Sequence, residues 1–134
     1  MKIFIADDSD ILRVRIKDAL AEIEGVETIG EARDTLEARR LIDKLEPDLV
    51  ILDIRMPGGN GIDLINSIKG HHPNTVVAML TAYPYPQYQK RCIELGADYF
   101  FDKASGLDNL MSLIRELSQE RGRNEQSEKN TKTS

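Results

Sequence analysis

A single cysteine and no tryptophan stand in 134 residues. One cysteine excludes an internal disulfide framework and fits a reducing compartment. Cys92 is expected as a small buried residue on a helix. No apolar stretch is long enough to cross a bilayer, so no membrane association is expected. Basic residues are in the minority, 18 Lys and Arg against 23 Asp and Glu, for a net charge of -5. Such a chain gains nothing from counterion release, which removes nucleic acid from its expected partners. Histidine is limited to the adjacent pair His71-His72, and no cysteine–histidine metal spacing exists. Met1-Lys2 leads directly into a strand pattern without an apolar leader or small-residue cleavage site, so a cytoplasmic location is expected.

What is present is a repeated arrangement. Four short apolar runs each end in a polar residue of a particular kind. Ile3-Phe4-Ile5-Ala6 meets Asp7-Asp8. Leu49-Val50-Ile51-Leu52 meets Asp53. Val76-Val77-Ala78-Met79-Leu80 meets Thr81. Tyr99-Phe100-Phe101-Asp102 meets Lys103. Short continuous apolar runs are the pattern of buried parallel strands. Helical periodicity fills the spaces between them.

The spacing predicts strands over 2–6, 27–31, 48–52, 75–80 and 98–101, and helices over 9–23, 34–45, 61–69, 86–95 and 107–121. Asp8 or Ser9 suits the first N-cap, and Pro86 the first turn of the fourth helix. Ile11, Leu12, Val14, Ile16, Leu20 and Ile23 form the apolar stripe of the first helix. Leu36, Ala38, Leu41, Ile42 and Leu45 form that of the second. Gly70 and Pro73 are expected to end the third helix, and Pro57 to Gly61 to form a loop. Strand followed by helix five times implies an α/β fold: a doubly wound, five-stranded parallel sheet with helices on both faces, for which 2-1-3-4-5 is the common strand order expected here. Residues 1–121 form one domain in this reading. Residues 122–134 contain no apolar side chain and are expected to be a disordered polar tail.

Ligand groups in such sheets lie just beyond the carboxyl ends of the strands. Singly, each candidate has an ordinary explanation. Asp7 and Asp8 suit a helix start, Asp53 and Thr81 suit turns, and Lys103 suits a solvated loop. Jointly they place three carboxylates, a hydroxyl and an ammonium on one edge. Clustered carboxylates repel one another, and a hard cation relieves that repulsion. Such a set can hold a divalent ion and a phosphoryl group together.

The chain resembles the receiver domain of two-component response regulators over roughly residues 1–121. The resemblance rests on Asp7-Asp8, on Asp53 with Met56-Pro57 and Gly61 behind it, on Thr81-Ala82, and on Gly96-Ala97-Asp98 leading to Lys103. It implies a flavodoxin-like fold and a phosphoprotein of phosphorelay signal transduction. Asp53 would be the phosphoacceptor, receiving its phosphoryl group from a histidine kinase, a phosphotransfer protein or a small acyl phosphate. Mg²⁺ or Mn²⁺ would be held by Asp7, Asp8, Asp53 and the backbone carbonyl of Arg55. Lys103 and Thr81 would contact the phosphoryl oxygens. Thr81 and Phe100 would form the switch that alters the surface of the fourth helix, fifth strand and fifth helix for a downstream protein partner. The chain would thus be a phosphoacceptor switch rather than an enzyme, assisting its own phosphorylation and dephosphorylation.

Three departures from the common pattern stand out. Ala104 follows Lys103 where many receivers have a cis proline, and a cis bond before alanine costs about 3–4 kcal/mol, so trans is expected. Arg55 and Tyr83 are bulky at the positions that flank the hydrolytic water, which implies a role in tuning dephosphorylation. Tyr83-Pro84-Tyr85-Pro86 makes a stiff, aromatic loop. Two further readings stay open: a Mg²⁺-dependent phosphohydrolase using Asp53 as a transient nucleophile, and a receiver fragment of a longer DNA-binding regulator. Against the first, Arg55 occupies the position where aspartate-nucleophile phosphatases carry a second Asp. His71-His72 are expected in a solvated loop at the far end of the sheet from Asp53.

Overall fold

The computed structural model describes the backbone of residues 1–133 and the side chains of residues 1–123. Five parallel strands form the sheet: β1 (Lys2–Ala6), β2 (Glu27–Ala32), β3 (Leu49–Leu52), β6 (Val76–Thr81) and β7 (Tyr99–Asp102), in the order β2-β1-β3-β6-β7. This is the expected doubly wound arrangement. Two short strands, β4 (Arg55–Met56) and β5 (Gly59–Asn60), pair antiparallel outside it. The helices are α1 (Asp10–Ala21), α2 (Thr35–Leu45), α3 (Gly61–His71), α4 (Pro86–Glu94) and α5 (Leu107–Thr133).

Alternation along the strands divides the core in two. Ile3, Ile5, Leu49, Ile51, Ala78 and Leu80 pack with Ile16 and Leu20 of α1 and with Leu110 and Ile114 of α5. Phe4, Val50, Leu52, Val77 and Met79 pack on the other face with Ile42, Ile65 and Cys92 from α2, α3 and α4. Between their ends the central strands are therefore apolar on both faces, with the polar Lys2 and Thr81 only at strand termini, as burial on both faces requires. Cys92 is fully buried, and burial raises its thiol to about 11, well above reactive range.

Local chemistry sets the helix ends. Ser9 Oγ accepts from Leu12 N–H at 3.2 Å, Asp34 from Glu37 at 2.8 Å, and Asn60 from Ile62 at 2.8 Å. Ser9, rather than Asp8, is thus the first cap. Glu46 ends α2 in the left-handed region, φ 48°, directly before Pro47.

Several elements differ from the sequence expectation. The third helix passes through Gly70 to His71, with His72 as its C-cap. Glycine weakens a helix interior but does not stop it, and the stop comes from Pro73. His71 is therefore helical, and the His72 ring meets Asp43 at 2.8 Å instead of lying in a solvated loop; both remain at the far end of the sheet from Asp53. Residues 55–60 form the β4–β5 hairpin, which takes in most of the loop expected over 57–61. Ile11, Val14 and Leu36 are exposed, although their spacing assigned them inward. A stripe wider than the face that meets the sheet leaves its margins in water. The backbone of α5 extends past residue 121 to Thr133; straight-chain Glu, Gln, Lys and Arg in that segment are good helix formers. The disordered tail expected over 122–134 falls mostly on side chains outside those described, and Ser134 lies wholly outside.

Candidate functional site at the carboxyl edge of the sheet

The site grows from strand ends that the ladder aligns. Parallel pairing of β1 with β3 puts Ala6 beside Leu52, and the Asp53 N–H donates to the Ala6 carbonyl at 3.0 Å. Asp7 and Asp53 therefore leave neighbouring strands at the same height. Pairing of β6 with β7 puts Thr81 beside Asp102, and the Lys103 N–H continues it to the Thr81 carbonyl at 2.8 Å. Four strands thus deliver their terminal residues to one edge.

Asp7 turns the chain into α1. Its Oδ1 accepts from the Ser9 N–H at 2.8 Å, which leaves Oδ2 aimed across the edge. The Lys103 ammonium donates to Asp7 Oδ2 at 2.7 Å and to Asp53 Oδ2 at 2.9 Å. Asp7 and Asp53 are buried, Asp8 is exposed, and one oxygen from each of the three lies within 4.8 Å of the others. Burial works against the Lys103 charge, but its bonds to Asp7 and Asp53 carry its pKa above the usual value. Burial, more than any other cause, lifts Asp53 to about 6; the Asp7 charge adds to this, while Lys103 and the Arg55 backbone N–H oppose it.

Three carboxylates against one ammonium leave two negative charges uncompensated at the rim. That donor set fits a hard divalent cation, with the exposed Asp8 on the solvent side. Arg55 lies on β4, two residues after Asp53. Its guanidinium carbon sits 4.1 Å from the centroid of the Tyr83 ring, and a guanidinium N–H points to the Tyr88 hydroxyl at 3.5 Å. Thr81 is fully buried, and its Oγ1 accepts from the Tyr83 N–H at 2.9 Å. Phe100, half-buried on β7, packs against the core beneath α4 together with Tyr88 and Leu95. The Lys103–Ala104 peptide is trans, as expected, and Asp102 Oδ1 accepts from the Ala104 N–H at 2.9 Å. His71 and His72 are not part of the site.

Two residues support the site, and the first, Arg13, is absent from the sequence expectations. Arg13 is buried on α1, donates to the Asp7 carbonyl at 2.6 Å and to Glu31 at 3.3 Å, and pairs with Asp10. It braces the acidic turn from behind. The signal was an arginine inside an apolar stripe. Gly61 packs so closely behind Asp53 that a Cβ there would lie 1.9 Å from the Asp53 carbonyl oxygen. Its N–H also donates to Ile54 at 2.6 Å. Gly61 belongs to the motif behind Asp53, but its contact with the Asp53 backbone arises only in the folded chain.

Comparison with known proteins agrees with this geometry. Residues 3–115 match the model of the response regulator receiver domain. The response regulator GacA of Pseudomonas aeruginosa is 29% identical over 117 residues, covering 87% of this chain and 55% of that protein. A protein-glutamate methylesterase/protein-glutamine glutaminase of Methanospirillum hungatei is 34% identical over 119 residues, covering 87% of this chain and 35% of that protein. The chain thus spans about half the length, or less, of these curated relatives. Among solved structures, the response regulator domain of Thermotoga maritima CheB superposes with a TM-score of 0.79 at 25% identity, covering 90% of this chain and 94% of that one. The isolated REC domain of RcsB from Salmonella enterica serovar Typhimurium, in the presence of phosphomimetic BeF3-, superposes with a TM-score of 0.82 at 30% identity, covering 89% of this chain and 88% of that one. No helix among the described residues is long and apolar enough to cross a membrane. A parallel sheet that gathers its acids at one edge and a family match across most of its length lead to one conclusion: this chain belongs to the response regulator receiver domain family of two-component signalling.

Proposed function

We propose that Asp53 is the phosphoacceptor of this receiver, and that residues 1–121 act as a phosphorylation switch in the cytoplasm. The observation that carries the proposal is the Lys103 ammonium bridging Asp7 and Asp53 at 2.7 and 2.9 Å, beside the exposed Asp8. A nucleophilic carboxylate, a cation for phosphoryl oxygens and a surplus of negative charge for a metal then share one rim.

Asp7, Asp8, Asp53 and the backbone carbonyl of Arg55 hold Mg²⁺ or Mn²⁺ in this reading. The ion supplies charge neutralisation for the transferring phosphoryl group. The residues of the chain do the rest. An Asp53 carboxylate oxygen attacks the phosphorus of a phosphohistidine on a histidine kinase or phosphotransfer protein, or of a small acyl phosphate. The P–O bond to Asp53 forms as the donor bond breaks, and the donor leaves with that electron pair. Attack requires the ionised carboxylate, and a pKa of about 6 leaves Asp53 largely ionised at neutral pH. Lys103 follows the charge onto the phosphoryl oxygens as a compact cation. The Thr81 hydroxyl already accepts from Tyr83, so its own proton is available to donate to a phosphoryl oxygen.

That donation is the switch. The new group brings about -1.5 to -2 charges and three acceptor oxygens. Thr81 moves toward it, and Phe100 turns into the space released under α4. The surface of α4, β7 and α5 is thereby altered for a downstream protein partner, and nucleic acid is not a partner of this chain. Phe100 has no hydroxyl, so its inward state is favoured by packing alone. Arg55 and Tyr83 shield the acyl phosphate from water and slow its loss. The chain is a stoichiometric acceptor in this reading, not a turnover enzyme.

The test is incubation with acetyl phosphate and Mg²⁺, followed by intact-protein mass spectrometry. A gain of one phosphoryl group is expected, absent in Asp53→Asn and absent with chelator. Labelling that survives Asp53→Asn, or continuous turnover of acetyl phosphate without a labelled chain, would overturn the assignment.

A further inference from the structure

The contacts that hold the Arg55 guanidinium are aromatic. It lies over the Tyr83 ring at 4.1 Å and reaches the Tyr88 hydroxyl at 3.5 Å. The Tyr85 ring joins the group, 6.4 Å from Tyr83 and 5.7 Å from Tyr88, with tilted planes. Arg55 stands two residues after Asp53, on the hairpin behind it. Tyr83 lies on the loop after β6, and Tyr88 on the first turn of α4. One side chain thus joins the hairpin that follows Asp53 to a helix on the far side of the β6–α4 loop.

The helix at the other end of this link is lightly held. Cys92 is the buried residue of α4, Tyr88 and Leu95 are half-buried, and Tyr85 caps the helix without a side-chain hydrogen bond. Pro84 and Pro86 stiffen the approach, and Tyr85 holds an extended φ of -73° and ψ of 140°. Few contacts fix α4, so a single added one matters to where it rests.

We infer that Tyr88 is a positioning residue for Arg55: from α4 it holds the guanidinium at the rim of the Asp53 site, so that the position of α4 sets the lifetime of the acyl phosphate. This rests on Asp53 being the phosphoacceptor and on Arg55 shielding it. The Tyr83 ring supplies the face on which the guanidinium lies, and the Tyr88 hydroxyl fixes its direction. When α4 is drawn away, by a partner or by its own displacement, Tyr88 leaves with it and Arg55 is released from one of its two supports. Water then reaches phosphorus more readily, its oxygen forms the new bond, and the P–O bond to Asp53 breaks. Inorganic phosphate departs and the carboxylate is restored. An occupied α4 surface and the rate of signal decay are thereby connected through one side chain.

The experiment is a double-mutant cycle on phosphoryl half-life. The whole chain is labelled with acetyl phosphate and Mg²⁺, freed of donor, and followed by mass spectrometry as wild type, Tyr88→Phe, Arg55→Ala and the double variant. Tyr88→Phe is expected to shorten the half-life about two- to fivefold, the range of a weak polar or cation–π contact. In the Arg55→Ala background the same change is expected to do nothing, because the group it positions is gone. Arg55→Lys keeps the charge without the planar fork, and there the Tyr88→Phe effect is expected to shrink. A Tyr88→Phe effect of equal size in the Arg55→Ala background would assign Tyr88 a merely structural role. An unchanged half-life in Tyr88→Phe would remove the role altogether. Both results presuppose a labelled wild type. A wild type that takes no label refutes the phosphoacceptor reading instead, so the two failures are distinguishable.

Discussion

Removing the ionisable group at Asp53 should change how stability depends on pH, and the sign follows from burial. The residue is 4% exposed, and its pKa is lifted from 3.8 to about 6, chiefly by desolvation. Between those two values the folded chain keeps a proton that the unfolded chain has released. The stabilisation tied to that proton is complete below the unfolded value and is lost as pH rises through the folded one. A displacement of about two units corresponds to roughly 3 kcal/mol at 1.36 kcal/mol per unit. Asparagine is neutral throughout. In metal-free buffer, the stability of wild type minus that of D53N should therefore fall by about 3 kcal/mol between about pH 4 and pH 7. Urea unfolding followed by circular dichroism, at four or five pH values with EDTA present, measures the difference directly. Adding Mg²⁺ at neutral pH should then recover stability for wild type and much less for D53N, by about 2.7 kcal/mol at a hundred times the dissociation constant. A difference that stays flat, or that grows as pH rises, would refute the claim that burial dominates the environment of Asp53.

Two other outcomes follow from the supports of the site. Gly61→Ala forces a Cβ into the Asp53 carbonyl oxygen; thermal unfolding should show a loss of about 3 kcal/mol or more, with weaker Mg²⁺ binding by calorimetry. Arg13→Ala leaves the buried Asp7 carbonyl without its 2.6 Å donor; a loss of about 1–3 kcal/mol in urea unfolding is expected, with acetyl phosphate labelling slowed rather than abolished.

Much of this molecule was legible in the residues. The strand runs are apolar on both faces because the sheet is covered on both faces, and a polar residue appears where each run reaches the carboxyl edge. That is why Asp7, Asp53, Thr81 and Lys103 mark the edge so plainly. Caps were legible for a related reason, since Ser9 can satisfy a free N–H with its own hydroxyl. Periodicity misled where a helix has apolar residues beyond its contact face. Ile11, Val14 and Leu36 have the spacing of core residues and sit in water, because the angle a helix presents to its sheet is decided by neighbours distant in sequence. Of the two residues expected to end the third helix, Pro73 does so and Gly70 does not, because glycine weakens a helix without stopping it.

By itself, the order of residue types determined the alternating architecture, its parallel sheet and the chemistry gathered at one edge, because those depend on local pattern and on rules of connection. Only the tertiary structure decided that one ammonium bridges Asp7 and Asp53, that Arg13 braces the acidic turn, and that Arg55 reaches across to Tyr83 and Tyr88. Such contacts join residues far apart in the chain. Their distances are set by strand register and helix placement, quantities that no single segment carries.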